Sequence, residues 1–186
     1  MVATITINRL TGSSGSITET NITSINTRAN TIDSHTTGDT SNPIEIPSSG
    51  SNYSFWVNTQ LDATVAPDNL VDNLEWFTDG TNGYGTGIGC VVAQAARASY
   101  TQATGTGGVT GTVLNDTTYS GGTLTPTTPV DAFGKVTASP LSVTGSTTTT
   151  GAFGNIVIYQ VTVGTTATPG TKPASPETFT WRYDET

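Results

Sequence analysis

At residues 155–164 the chain reads NIVIYQVTVG, and apolar side chains occupy both odd and even positions from Ile156 to Tyr159. Successive side chains on a strand point to opposite faces, so a run that is apolar at both parities is buried on both. Its Ile, Val and Tyr content favours an extended backbone. The stretch is expected to be a central, buried strand.

Working outward, the C-terminal ETFTWRYDE alternates cleanly, with Phe179, Trp181 and Tyr183 on one face and Thr180, Arg182 and Asp184 on the other. NYSFWVNTQLDA, at 52–63, is read as one strand, with Tyr53, Phe55 and Val57 on one face and Trp56 on the other. NLEWF, at 73–77, is another strand, closed by the turn pair Asp79-Gly80. GKVTASPLSVTGS, at 134–146, is expected to form a strand pair, with Pro140 at an edge or bulge. Residues 92–98 are helix-compatible by composition, but their surroundings favour strand. The turn-rich stretch at 105–129 is expected to carry one or two short edge strands.

Composition points the same way. The 186 residues are 33% hydrophobic and 11% charged, and about 40 are threonine. Threonine is β-branched and suits a half-solvated pleated surface. Strands, turn signals and no sustained helical pattern give an all-β fold, an antiparallel β-sandwich of Ig-like or jelly-roll-like type. No fixed repeat period indicates a solenoid or propeller.

The glycine-rich stretch TDGTNGYGTGIGCVV, at 78–92, places Gly83, Gly85, Gly87 and Gly89 at alternate positions. A dinucleotide fingerprint would need a glycine where Ile88 stands, and a helix after it. Read with a strand period, the four glycines share one bare face, a strip for close packing or for an interface. No cofactor is expected.

Residues 1–51 form a Thr/Ser-rich N-terminal arm with short strands, and 52–186 the sandwich body. From about Thr11 the arm carries only isolated isoleucines, whose spacing fits neither helix nor sustained strand. Two readings stand: an extended arm that docks on a partner through Ile17, Ile22, Ile25 and Ile32, or long loops between short strands.

Charge narrows the partners. Six Lys and Arg against fourteen Asp and Glu give a net charge of −8. Such a chain lacks the cations that displace counterions from phosphates, so neither nucleic acid nor an anionic membrane surface is expected as partner. No apolar run is long enough to span a bilayer. The N-terminal MVATITINRL has no secretory-signal pattern, so synthesis in the cytoplasm is expected. Cys90, the single cysteine, excludes an intrachain disulfide.

Catalytic constellations are sparse. His35 is the one histidine and lies in the polar DSHTTGD. Cys90 beside Val91 and Val92 reads as an inert core residue, although a Cys–His nucleophile is formally available. No G-x-S-x-G elbow occurs. The acidic group Asp62, Asp68, Asp72, Glu75 and Asp79 has the carboxylates that glycoside hydrolysis or Ca²⁺ binding needs, but not the spacing of a known calcium loop. Solvated turns explain it more simply. No metal site is assigned.

SNYSFWVNTQLDA, NLEWFTDGTNGYGTG and TPGTKPASPETFTWRYDET together resemble segments of small β-rich structural proteins of tailed-bacteriophage virions. The resemblance covers about a third of the chain and brings no functional residues with it. It implies a non-enzymatic virion protein, either a capsid decoration (cement) protein or a tail component. Its partners would be the major capsid protein or other virion proteins, and copies of itself. The acidic balance suits the outside of a shell better than its DNA-facing lining. A tail tube or fibre subunit and a carbohydrate-binding adhesin module are the alternatives.

Overall fold

The computed structural model describes residues 2–35, 41–104, 112–119, 121–170, 173 and 176–186. Its described strands are β1 (Thr4–Ser13), β2 (Ser16–Asn21), β3 (Ser51–Tyr53), β4 (Val57–Val65), β5 (Val71–Thr78), β6 (Ile88–Ala95), β7 (Thr125–Asp131), β8 (Leu141–Ser142), β9 (Gly151–Gly164) and β10 (Phe179–Glu185). Strand β9 holds the centre. It pairs antiparallel with β6 along one side, and with β4 and β3 in succession along the other.

Around β9 a seven-stranded sheet runs β2-β1-β4-β9-β6-β7, with β3 beside β9 beyond the end of β4. A second sheet, β10-β5-β8, lies over one face of the first. The protein is therefore an all-β antiparallel sandwich.

The inter-sheet core takes Val57, Leu61, Cys90, Val92, Val157 and Val161 from the large sheet, and Val71, Leu74, Trp76 and Leu141 from the small one. Phe179, Trp181 and Tyr183 of β10 pack against this core while Arg182 and Asp184 stay exposed. The alternation read from ETFTWRYDE holds.

The other face of the large sheet carries a second core, which the sequence reading does not anticipate. Leu10, Trp56, Ala93, Ala95, Ile156 and Ile158 are covered there by Tyr100, Ala103, Leu114, Tyr119 and Leu124 of the segment between β6 and β7. Among its described residues that cover has one regular element, the 3₁₀ turn Arg97–Ser99; of the helix-compatible stretch 92–98, residues 92–95 lie in strand β6. Residues 125–129 of the 105–129 stretch belong to the edge strand β7, the other described residues of the stretch form no strand, and 105–111 and 120 lie outside the described residues.

Three glutamines fasten the irregular pieces to the sheets. A primary amide both donates and accepts, so one side chain can satisfy several orphaned backbone groups. Gln160 donates to the Ser54 and Thr112 carbonyls, each at 2.8 Å, and accepts from Leu114 N at 2.7 Å. Gln94 donates to the Ser142 carbonyl and accepts from Thr144 N and Asn155 Nδ2, which anchors β8 over the large sheet. Gln60 accepts from Arg97 Nη1 of the 3₁₀ turn and donates to the Gly154 carbonyl at 2.6 Å.

Two strand expectations need correction. The 52–63 strand is interrupted at residues 54–56, between β3 and β4. There Ser54 exchanges bonds with Val161, Phe55 N donates to Asn30 O, and Trp56 N donates to Gln102 Oε1. The interruption turns Phe55 toward the second core with Trp56, while Val57 faces the first. The 134–146 strand pair reduces to the two-residue β8 just after Pro140, with isolated bridges from Val136.

At the N-terminus, β1 lies between β2 and β4, and its Leu10 is fully buried. Residues 4–21 therefore belong to the sandwich, and the irregular connection begins after Asn21. The described parts of residues 22–50 form no strand. The boundary at 51/52 divides β1 from its partner β4.

Candidate functional site

The glycine stretch is a loop leading into a strand. Strand β6 starts at Ile88, so Gly83, Gly85 and Gly87 precede it in turns and only Gly89 lies within it. No continuous bare strip forms. Gly85 and Gly87 have φ of +86° and +76°, outside the extended region. Asn82 ties the loop: its Nδ2 donates to Ile88 O at 2.8 Å and its Oδ1 accepts from Tyr84 N at 3.1 Å. Close approach does occur, but locally and within the chain. A Cβ on Gly83 would strike the Glu177 carboxylate, and one on Gly87 the backbone at Thr166 and Ala167.

A backbone-to-backbone glycine contact of the same closeness lies elsewhere. A Cβ on Gly145 would sit 2.3 Å from Gly154 Cα, where the chain leaving β8 crosses a bulge in β9. Two glycines nine residues apart carry no local pattern, which is why the sequence does not single them out.

The proposed anchors also separate. Ile17 is half-buried against the second core, Ile22 and Ile32 are half-buried, and Ile25 is 46% exposed. Ile46, on the same connection, is 38% exposed. The connection is held down by polar contacts. Arg9 is buried on β1 beneath it and donates from Nη1 to Thr27 Oγ1 at 2.5 Å and to the Arg28 carbonyl at 2.6 Å. Asp33 accepts from Gly12 N at 2.6 Å and from Gln102 Nε2 at 2.9 Å. The Arg9 Nε and Nη2 atoms have no hydrogen-bond partner among the described residues.

Burial sets the electrostatics of this cluster. It lowers the Arg9 pKa, with Tyr159 and Asp33 opposing, because an unsolvated cation is disfavoured. It raises Asp33 above the ordinary carboxylate value against the opposing pull of the Gly12 N–H and Arg9. His35, whose Nδ1 lies 3.1 Å from Thr27 Oγ1, is pushed down by desolvation and then by Arg9. The arrangement fastens a loop to a sheet.

Cys90 is buried in the first core and its thiol pKa is driven up, chiefly by desolvation. That environment opposes thiolate formation. His35 lies within the 22–50 connection, hydrogen-bonded to Thr27 rather than to the thiol. The acidic residues are dispersed along β4, β5 and the adjoining turns. Among the described residues no group of three or more His, Cys, Asp or Glu is placed to hold a metal.

One open groove, of about 480 Å³, lies on the outer face of the small sheet and is lined by Asn73, Glu75, Ser142, Arg182 and Asp184. Arg182 pairs with Glu75 and lies 5.3 Å from the centre of the Phe77 ring. Asn73, at φ +49° where the β5–β10 register slips, donates to Asp184 Oδ2 at 2.9 Å. The groove can offer hydrogen bonds, and it is wide open to solvent.

Fold and surface together define an antiparallel β-sandwich with a second core packed on its larger sheet. Comparisons with protein-family models, with curated proteins and with solved structures found no match.

Proposed function

We propose that this chain is a non-enzymatic structural protein of a bacteriophage virion, a decoration or cement protein that binds the outer capsid surface and stabilises the shell. The observation that carries the reading is the exposure of Ile25 and Ile46, beside segments that Arg9 and Asp33 and, through the Glu45 carbonyl, Asn52 fasten to the sheet. Exposed apolar side chains on a fixed loop can enter a partner's surface with little ordering cost. The chain's net charge of −8 keeps such a protein off DNA and supports a place on the outside of the shell.

The test is co-sedimentation of purified protein with shells lacking it. Ile25→Asp combined with Ile46→Asp is expected to weaken binding by about tenfold or more, while circular dichroism stays unchanged. Electron microscopy of the particle that places the chain in the tail would overturn the capsid reading in favour of a tube or fibre subunit.

The groove over β5 and β10 supports a second reading, a carbohydrate-binding adhesin. Carboxylates, an amide and an arginine beside an aromatic ring are groups that hydrogen-bond sugar hydroxyls. Glycan-array binding that is lost in Arg182→Ala would favour it.

A further inference from the structure

The large sheet ends on β2 and β7 and the small one on β10 and β8, with the three-residue β3 as a further short strand beside β9; of the four end strands, three are guarded. Strand β7 contains Pro126 and Pro129 in seven residues. Strand β8 has two residues and follows Pro140. Strand β10 is bulged against β5 and carries Arg182, Asp184 and Glu185. Prolines, shortness, bulges and charge are the devices that stop one sheet edge from pairing with another.

Strand β2, SITETN, has none of them except a single Glu19. Ser16, Thr18, Glu19 and Asn21 are exposed, Ile17 and Thr20 are half-buried, and among the described residues no strand pairs with the outer side of β2. Its pairing with β1 fixes which backbone groups face out. Ile22 N donates to Ile7 O, which sets Ser16, Thr18 and Thr20 as the residues bonded to β1. The N–H and C=O groups of Ile17, Glu19 and Asn21 then point away from the sheet, without a backbone partner among the described residues.

We infer that β2 is the pairing edge of a homodimer, in which two copies join their large sheets antiparallel about a two-fold axis at Thr18. The occupant is argued from charge and register. Glu19 is already engaged by Arg97 and by Asn8 Nδ2, so the edge offers no unbalanced charge for an acidic or basic partner to read. A neutral edge suits a copy of itself. An axis at Thr18 brings the outward groups of Ile17 opposite those of Glu19, and sets Thr18 facing Thr18 and Ser16 facing Thr20. Threonine and serine pairs of this kind stabilise adjacent strands. An axis at Glu19 would instead set two carboxylates face to face. An axis at Ile17 would draw the Ser14-Gly15 turn into the pairing. The inference stands on the sheet edge and does not depend on the virion reading.

Sedimentation velocity on the isolated full chain over a rising concentration series tests it. The wild type is expected to pass from monomer to dimer. Thr18→Lys and Thr18→Glu should each stay monomeric, because like charges would face each other, and an equimolar mixture of the two should recover the dimer. Hydrogen exchange adds a second readout: the Ile17 and Glu19 amides should gain protection as concentration rises. A wild type that remains monomeric throughout overturns the inference, as does a dimer that survives Thr18→Lys with its Ile17 and Glu19 amides unprotected. Thermal melts of both variants separate a lost interface from a lost fold. Shell binding that fails while the dimer persists would strike only the virion reading.

Discussion

At Gly87 the backbone runs at φ +76°, and a Cβ would lie 2.4 Å from Ala167 N, a backbone atom that cannot step aside cheaply. Gly87→Ala is expected to cost about 2–4 kcal/mol, from backbone strain plus overlap. Gly85 has the same kind of φ but open space around it, so Gly85→Ala should cost about 1 kcal/mol. Gly89 has neither feature, and Gly89→Ala should be neutral to within about 0.5 kcal/mol, or slightly stabilising. Urea denaturation of the three variants checks the order; equal losses would restore the single glycine strip.

Asp33 gives a pH prediction at the same scale. Its folded-state pKa is raised, mainly by desolvation, so the native state holds this proton more tightly than the unfolded chain. Stability contributed by the group is therefore greatest at low pH and declines as pH rises from the ordinary carboxylate value through the raised one. Asp33→Asn should remove that decline while keeping an acceptor for Gly12 N. The stability difference, variant minus wild type, should rise with pH across this window in denaturation curves, and a difference that falls would refute the assignment.

Among the elements, β9 depends on what its polar residue holds. Gln160 interrupts the apolar run at residues 155–164, and by pattern alone it is a weak point in a buried strand. The structure makes it the pin for residues 54 and 112–114. Gln160→Leu would leave Leu114 N and the Thr112 and Ser54 carbonyls short of partners, at about 1–3 kcal/mol for each group left unpaired. Trp56 Nε1 also donates to Thr112 O, which softens that loss. A cost of about 3 kcal/mol or more is expected, together with faster proteolysis between Tyr100 and Tyr119. Arg182→Ala, at an exposed ion pair with Glu75, should cost no more than about 1 kcal/mol in the same assay.

For the whole molecule, two cores share one sheet. Trp76 reports on the first core and Trp56 on the second, and β9 contributes side chains to both. One cooperative transition is expected, with coincident urea curves from variants that keep only Trp56 or only Trp76. Non-coincident curves would show that the 96–124 cover melts separately. Removing residues 2–21 should abolish folding rather than trim an arm, because β4 would lose its neighbour along most of its length.

The amino-acid sequence by itself determined the fold class, because strand periodicity is local. The doubly apolar β9, the alternation of β10 and the β-branched composition are each legible within a window of ten residues. It also determined that Cys90 is a core residue, from its apolar neighbours. Tertiary structure alone decided the rest. The second core draws on residues from Leu10 to Ile158 with no shared period, and the interruption at 54–56 is stabilised by Asn30, Gln102 and Val161, all distant in sequence. The glycine stretch could be read with a strand period only until Gly87 met Ala167. The open edge of β2 likewise becomes visible only when every other strand has found its neighbour, because a hydrogen bond not made is a property of the assembled sheet and not of any segment.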